Sequence, residues 1–422
     1  MTIFDGRIDG TITGFTVYPL AFSDPPLLNA AGVHEPLALR TLVRLEIGDV
    51  VAWGEGRGDA LPADVVPALE AGLLGLDVFA TSRIESVVDA VLRRLRPDLG
   101  TQARLVTFAP VEVAALDAQG KLLGRPVSDL LGGALRDRVD YSAYLFFKWA
   151  EHIGADDDEW GAALDPDGIV AQAKRMIDRY GFRSIKLKAG ALHPDVEVES
   201  ILALAEAFPG LPLRIDPNGA WRHETALAVA RRLDGVLEYL EDPVLGIDGM
   251  SRVHAETGLP LATNMCVVET EHILPAVRSD AVQILLSDHH YWGGLRRTKE
   301  LAAICEATGM GVSMHSNSHL GVSLAAMTHV AAAIPNLAYA CDTHYPWNRA
   351  DDVVPDGGID GGIDIVDGAV TVPTGPGLGV DVDPGRVEEL HERFLRSGRT
   401  ARNDGDYMRR RDPAFTDALP RY

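Results

Sequence analysis

From about residue 139 the chain alternates short apolar runs with longer stretches in which apolar residues recur every three to four positions. The short runs are VDYSAYLFF (139–147), SIKLKAG (184–190), PLRIDPN (212–218), LEYLEDP (237–243), PLATNMC (260–266), AVQILLSDHH (281–290), GVSMHSNS (311–318) and LAYACDTHY (337–345). Short, bounded runs of this kind predict strands. Between them IVAQAKRMIDRY, DVEVESILALAEAF, HETALAVARRL, LRRTKELAAICEATG and LGVSLAAMTHVAAAI carry helical spacing. Such alternation predicts parallel strands with crossover helices, and eight strands predict a closed (β/α) barrel. An open doubly wound sheet is the competing expectation. It normally carries a Gly-rich phosphate turn after its first strand, and neither GxGxxG nor GxxxxGK is found here.

The flanks read differently. Residues 1–138 open with strand-like GTITGFTVYPL and LALRTLVRLEIGDVVAWGEG. Helical VVPALEAGLLGL, IESVVDAVLRRL and PVEVAALDAQGKLLG follow, which predicts a separate α+β domain. Residues 139–345 are expected to form the barrel. Residues 346–422 are Gly/Asp/Pro-rich at first, then carry a short β-like piece and the charged helix RVEELHERFLR. This segment is too short for a domain and is expected to pack back on the first one. From Thr400 the chain is polar, and is expected to be mobile or ordered only over a site.

Charge narrows the partners. The formal charge is −22 over 422 residues, which argues against nucleic acid or an anionic membrane. A small anionic substrate stays open, because a local cluster of lysine, arginine and metal can invert the field within one pocket. No apolar run approaches the ~20 residues of a membrane span, and the N-terminus lacks the pattern of a signal peptide. A cytoplasmic protein is expected. Cys266, Cys305 and Cys341 form no CxxC pair and are expected to be reduced core thiols.

SIKLKAG raises a specific question. On a strand, residues two apart share a face, so Lys186 and Lys188 point the same way, at a cost in repulsion. Each later predicted strand also ends in polar residues: Asp216 and Asn218, Glu241 and Asp242, Asn264, Asp288 with His289 and His290, His315 with Ser316 and Asn317, Asp342 and His344. From Lys188 to Asp342 the steps between successive strand ends are 23 to 28 residues, about one βα unit each. In a barrel they would ring the C-terminal mouth, where active sites lie. Any one of these residues is more often a cap or a satisfied core group. The ring in register is what points to chemistry.

Asp216, Glu241 and Asn264 are oxygen donors on consecutive strands, a set suited to Mg²⁺; zinc would draw on histidine or cysteine. Like charge and a nearby metal lower a lysine pKa, which makes Lys188 a candidate base, with Lys186 remaining charged. An Asp–His pair, Asp288 and His315, supplies a second base. Two bases flanking a metal-held carboxylate suggest proton abstraction α to that carboxylate. Lys186 would then stabilise the developing charge and a β-hydroxyl would leave as water.

These residues resemble the enolase superfamily, in its mandelate racemase-like branch. IKLKAG, DPNGAW, EDP, ATNM, SDHHYWGG, MHSNSHLGVSLAAMTHVAAA and DTHYPW look like glucarate dehydratase and its close relatives, and the similarity runs from about Asn29 to Arg402. The resemblance implies a modified (β/α)₇β TIM-type barrel with an N-terminal α+β capping domain. It implies Mg²⁺ on Asp216, Glu241 and Asn264, bases at Lys188 and His315 (paired with Asp288), and stabilising roles for Lys186 and Asn218. It also implies substrate contacts from Asn29 and His34 in NAAGVHEP, Tyr144 and Phe146 in YLFF, and Ser316, Asn317, His344 and Arg402. After EDP the stretch VLGIDGMSRVHAETG is shorter than in the dehydratase, which leaves Asp248 as an alternative metal contact. The implied activity is Mg-dependent dehydration of an aldarate, D-glucarate foremost, to a 2-keto-3-deoxy diacid. A racemase or epimerase with the same bases, a dehydratase of another acid sugar, and a non-catalytic protein on the same fold are the alternatives. A homo-oligomer is expected of such barrels.

Overall fold

The computed structural model describes residues 3–4, 7–355 and 362–422. Three long strands with mixed burial come first: β1 (Gly14–Ser23), β2 (Leu37–Ile47) and β3 (Val50–Arg57). They form an antiparallel sheet in the order β1-β2-β3. The β2–β3 hairpin turns at Gly48, whose φ of 58° favours glycine. Helices α1 (Val66–Leu73), α2 (Thr81–Leu95) and α3 (Thr101–Leu123) follow. The α3 backbone approaches β3 so closely that a Cβ at Gly54 would lie 2.0 Å from the Pro110 carbonyl oxygen. The sequence placed the start of this helix at Pro110. It begins at Thr101 and runs through the proline, because tertiary burial of Val106 to Gly120 outweighs the missing N–H.

The second layer is the barrel. Its strands are β4 (Ala143–Phe146), β5 (Ile185–Lys188), β6 (Leu213–Asp216), β7 (Tyr239–Glu241), β8 (Leu261–Thr263), β9 (Ile284–Ser287) and β10 (Gly311–Met314). They pair in parallel, in chain order, as one curled sheet. Helices α4 (Pro166–Tyr180), α5 (Pro194–Ala207), α6 (His223–Arg232), α7 (Gly246–Thr257), α8 (Thr270–Arg278), α9 (Leu295–Thr308) and α10 (Gly321–Ala333) connect them and lead out of β10. Apart from Gly311 these strands are buried throughout, the charged Lys186, Lys188, Arg214, Asp216 and Glu241 included, so none shows the alternation of a half-exposed strand.

Two predicted strands need correction. VDYSAYLFF is split: Arg138–Asp140 pairs antiparallel with Ala369–Thr371, and only Ala143–Phe146 enters the barrel. LAYACDTHY is not a continuous strand. Leu337 bridges Val312 on β10 and Cys341 bridges Tyr141 just before β4. The Asp342 N–H donates to Met314 O and the Ser142 N–H to Cys341 O, both at 2.8 Å. Seven strands and this bridging segment close the ring, giving a TIM-type barrel of the modified kind.

The C-terminal helix α11 (Pro384–Ser397) is capped by the Asp383 carboxylate and lies beside β1, where His391 Nδ1 is 2.8 Å from Pro19 O. Beyond Thr400 the chain folds onto the N-terminal loop and the barrel mouth. Arg421 donates to Ala30 O (2.6 Å) and to Gly190 O (3.1 Å). Among the described residues no helix is long and apolar enough to cross a membrane.

Candidate active site

Parallel register sets the floor of the site. Lys186 pairs with Tyr144 and Lys188 with Phe146 on β4, while Lys188 pairs with Asp216 on β6. The two lysines do point the same way, and carboxylates separate them. Lys186 Nζ lies 2.5 Å from Glu241 Oε2, 2.6 Å from Asp342 Oδ2 and 3.4 Å from Asp216 Oδ2. It also sits 4.7 Å from the centre of the Tyr144 ring. Burial alone would lower its pKa; Asp342 and Glu241 outweigh that and hold the amine well above its usual value, hence charged. Lys188 Nζ donates to Asp216 Oδ2 at 2.5 Å.

Asp216, Glu241 and Asn264 converge at the ends of β6 to β8. Asn264 Nδ2 reaches Glu241 Oε1 at 2.6 Å, and a half-turn of that amide presents its oxygen instead. Burial works to raise the Asp216 carboxyl, but Lys188 and then Lys186 hold it well below the usual range. Glu241 is pushed the other way, first by burial and then by the Asp216 charge. An oxygen-only donor set, with both carboxylates fully buried and one suffering from its neighbour's charge, fits a hard divalent cation such as Mg²⁺. Asp242, not assigned from sequence, orients this corner. With φ of 34°, it accepts from Thr263 Oγ1 (2.5 Å) and from the Asn264 N–H (2.9 Å). Burial, then Asp216, raises its carboxyl to about 7. Asn218, at φ 50°, donates its N–H to Asp216 Oδ1. Asp248 lies exposed in the first turn of α7 and does not line the cavity.

The opposite wall carries the dyad. His315 Nδ1 lies 3.0 Å from Asp288 Oδ2. His290 Nδ1 lies 2.7 Å from the other oxygen. Burial opposes ionisation of Asp288, but the two imidazoles hold it well below the ordinary carboxylate range.

Between these walls is a cavity of about 660 Å³. Lys188, Asn218, Asn264 and His315 line it, while Lys186, Asp216, Glu241 and Asp288 stand behind them. All eight residues assigned to substrate line it too: Asn29, His34, Tyr144, Phe146, then Ser316, Asn317, His344 and Arg402. Tyr144, Phe146 and His344 make an aromatic corner, with ring centres 4.6 to 5.1 Å apart. Ser316 Oγ accepts from the His344 N–H at 3.0 Å. Burial, and then His34, keeps His344 well below its usual pKa and therefore neutral. Asn29 reaches Asp404 at 3.5 Å.

One organising group was missed. Asp24 is buried at the base of His34 and Arg402, accepting from both at 3.0 Å, and also from Ser318 and Asn348 at 3.2 Å. Its sequence, SDPP, looks like an ordinary turn. Arg40, Arg57 and Tyr291 also line the cavity unforeseen, with the Arg57 guanidinium 5.0 Å from the Tyr291 ring centre. Asp342, one of the ring of strand ends, pairs with Lys186 behind the cavity.

Known proteins bear on this arrangement. Residues 168–386 match the family described as Enolase C-terminal domain-like. A probable glucarate dehydratase of Streptomyces coelicolor is 49% identical, over 98% of this chain and 99% of its own. The chain belongs to the enolase superfamily. The superfamily is enzymatic and so is this member, a hydro-lyase by its likeness to that dehydratase. An enolase from Gibberella zeae, crystallised with magnesium, formate and sulfate, superposes with a TM-score of 0.94 at 50% identity, covering 98% of both chains. An enolase from Pseudomonas fluorescens with magnesium, potassium and tartrate gives 0.93 at 47% identity, covering 98% of this chain and 99% of that one.

Proposed function

We propose that this enolase-superfamily member is a Mg²⁺-dependent dehydratase of hydroxylated diacids, with D-glucarate as its substrate. The carrying observation is the placement of Lys188 and the Asp288–His315 dyad on opposite walls of one cavity that Asn264 also lines. Asp216, Glu241 and Asn264 would hold Mg²⁺, which supplies Lewis-acid stabilisation of a substrate carboxylate when bound. Lys188 takes the proton from the carbon α to that carboxylate. Lys186, kept charged by Asp342 and Glu241, sets a positive charge behind the oxygen on which negative charge develops, and Asn218 lines the cavity there. His315, protonated, gives its proton to the β-hydroxyl, which leaves as water. The resulting enol becomes the 2-keto-3-deoxy diacid.

At the far end, His34 and Arg402 are fixed by Asp24 to meet the second carboxylate, with Asn29, Ser316, Asn317, Tyr144, Phe146 and His344 around the hydroxyls. The relative with tartrate, itself a dihydroxy diacid, supports this substrate class. In this reading residues 139–345 carry the chemistry, while residues 1–138 and 346–422 cover the distal half.

Proton NMR of D-glucarate with enzyme and Mg²⁺ in D₂O tests it. Loss of substrate signals with a new methylene resonance is the expected result. Exchange of the α-proton without elimination would make the enzyme an epimerase or place its substrate elsewhere among acid sugars. No change at all would remove glucarate.

A further inference from the structure

Asp288 accepts from two imidazoles, and only His315 reaches the cavity. The other, His290, is buried behind it. Its Nε2 meets Arg40 Nη2 at 2.7 Å and Ser323 Oγ at 2.7 Å. A guanidinium nitrogen only donates and does not give up its charge. His290 Nε2 must therefore accept, and the single ring proton sits on Nδ1, facing Asp288 Oδ1 at 2.7 Å. Ser323 agrees with this: its Oγ accepts from Arg40 Nη2 at 3.2 Å, which turns its own proton toward His290.

Arg40 is itself held. Its Nε donates to Glu55 Oε1 at 2.8 Å. Glu55 also accepts from the Leu320 N–H (2.9 Å) and the Ser323 N–H (2.8 Å). Arg40, Glu55, His290 and Asp288 are all at most 3% exposed. Arg40 and Glu55 come from β2 and β3 of the N-terminal sheet, whereas His290 and Asp288 follow β9 of the barrel. The charged and titratable groups facing His290 are Asp288, Arg40, Glu55, the His289 ring at 3.9 Å and His319. Burial, with Arg40 opposing the pull of Asp288, keeps His290 neutral.

We infer that Arg40 is a positioning residue for the second base: it fixes the tautomer of His290, which in turn orients Asp288 toward the His315 Nδ1–H. This leaves His315 Nε2 as the proton acceptor in the cavity. The N-terminal sheet thus acts on one of the two bases and leaves Lys188, whose partner is Asp216, untouched. The inference rests on the reading of Lys188 and His315 as bases on opposite walls.

The test follows α-proton exchange by NMR in D₂O, using the full chain with Mg²⁺ and two aldarates epimeric at the carbon that loses its proton. One epimer offers that proton to Lys188 and the other to His315; Lys188→Met and His315→Asn assign which is which. Arg40 also donates to Asn317 Oδ1 at 3.1 Å, so a loss shared by both epimers is set aside as that contact's, and Arg40→Met is expected to slow exchange of the His315-facing epimer about 10- to 100-fold more than that of the Lys188-facing one. His290→Asn keeps a donor near the Nδ1 position and should retain the His315-facing exchange, whereas His290→Leu should lose it. Equal loss of both exchanges in Arg40→Met and His290→Leu, including loss through misfolding, overturns the inference and reduces the chain of contacts to structural support. Unchanged exchange in either variant overturns it as well. If wild-type enzyme exchanges neither epimer, it is the dehydratase reading that fails instead.

Discussion

Lys186 Nζ stands 2.6 Å from Asp342 Oδ2, and both side chains are fully buried. Asp342 lies on the bridging segment that closes the barrel, so the lysine's charge is set partly by the closure itself. Removing one member leaves a buried charge short of a partner. Asp342→Leu is expected to cost about 3 kcal/mol in urea unfolding. Lys186→Met combined with Asp342→Leu should recover part of that stability, and no activity. A double variant as unstable as the sum of the singles would show that the pair is not coupled.

The corner of Asp216, Glu241 and Asn264 predicts a trade between stability and binding. Mg²⁺ at 100 times its dissociation constant should stabilise the folded chain by about 2.7 kcal/mol. Glu241→Gln should abolish that gain. Without Mg²⁺ the variant should melt close to wild type, because relief of the repulsion from Asp216 offsets the lost contact with Lys186. Thermal melts with and without Mg²⁺ decide it, and a full Mg²⁺ response in the variant would remove Glu241 from the ligand set.

A buried carboxylate outside the Asp216, Glu241 and Asn264 corner gives a pH signature. Glu112, on α3, accepts from the Leu295 and Arg296 N–H groups at the start of α9. Burial raises it from 4.5 to about 7. Below pH 4.5 both folded and unfolded chains hold the proton and nothing is lost. As pH rises from 4.5 toward 7 the unfolded chain ionises first, so this group's contribution to stability falls, by about 3 kcal/mol in all. Glu112→Gln should lack this decline. Unfolding measured at pH 5 and pH 8 for both proteins would expose parallel losses if the assignment is wrong.

Arg402 is predicted to act in binding rather than chemistry. Arg402→Ala should raise KM for glucarate by roughly 10- to 100-fold, the worth of a charged hydrogen bond, with a smaller change in kcat. Asp24→Asn should follow it, because the same carboxylate holds His34. Steady-state kinetics with the diacid and with a monoacid analogue separate the cases. An equal KM increase for the monoacid would place the arginine away from the distal carboxylate.

Much of the barrel is legible in the sequence because strands buried on both faces leave short, mostly apolar runs, interrupted chiefly by the residues of the site, with helical spacing between them. The closing segment misled that reading. Leu337 and Cys341 each pair with a different neighbour, and hydrophobicity cannot tell two isolated bridges from a strand. The ring from Lys188 to His315 was visible because each βα unit repeats its register and delivers one polar residue to the same mouth. Asp24, Arg40 and Glu55 were invisible for the converse reason. They lie in a turn and two alternating strands, and their partners, such as His290, Ser323, Asn348 and Arg402, lie more than 200 residues away. No local pattern announces such a contact.

The carboxylate of Asp24 ties a loop, the barrel and the last stretch of chain into one joint, since it meets His34, Ser318, Asn348 and Arg402 at once. Any occupant that engages His34 and Arg402 therefore also weighs on whether that stretch stays docked, and by linkage the docked stretch favours the occupant by the same factor. Cleavage by a protease beyond Thr400 thereby becomes a gauge of occupancy, slowing as the cavity fills.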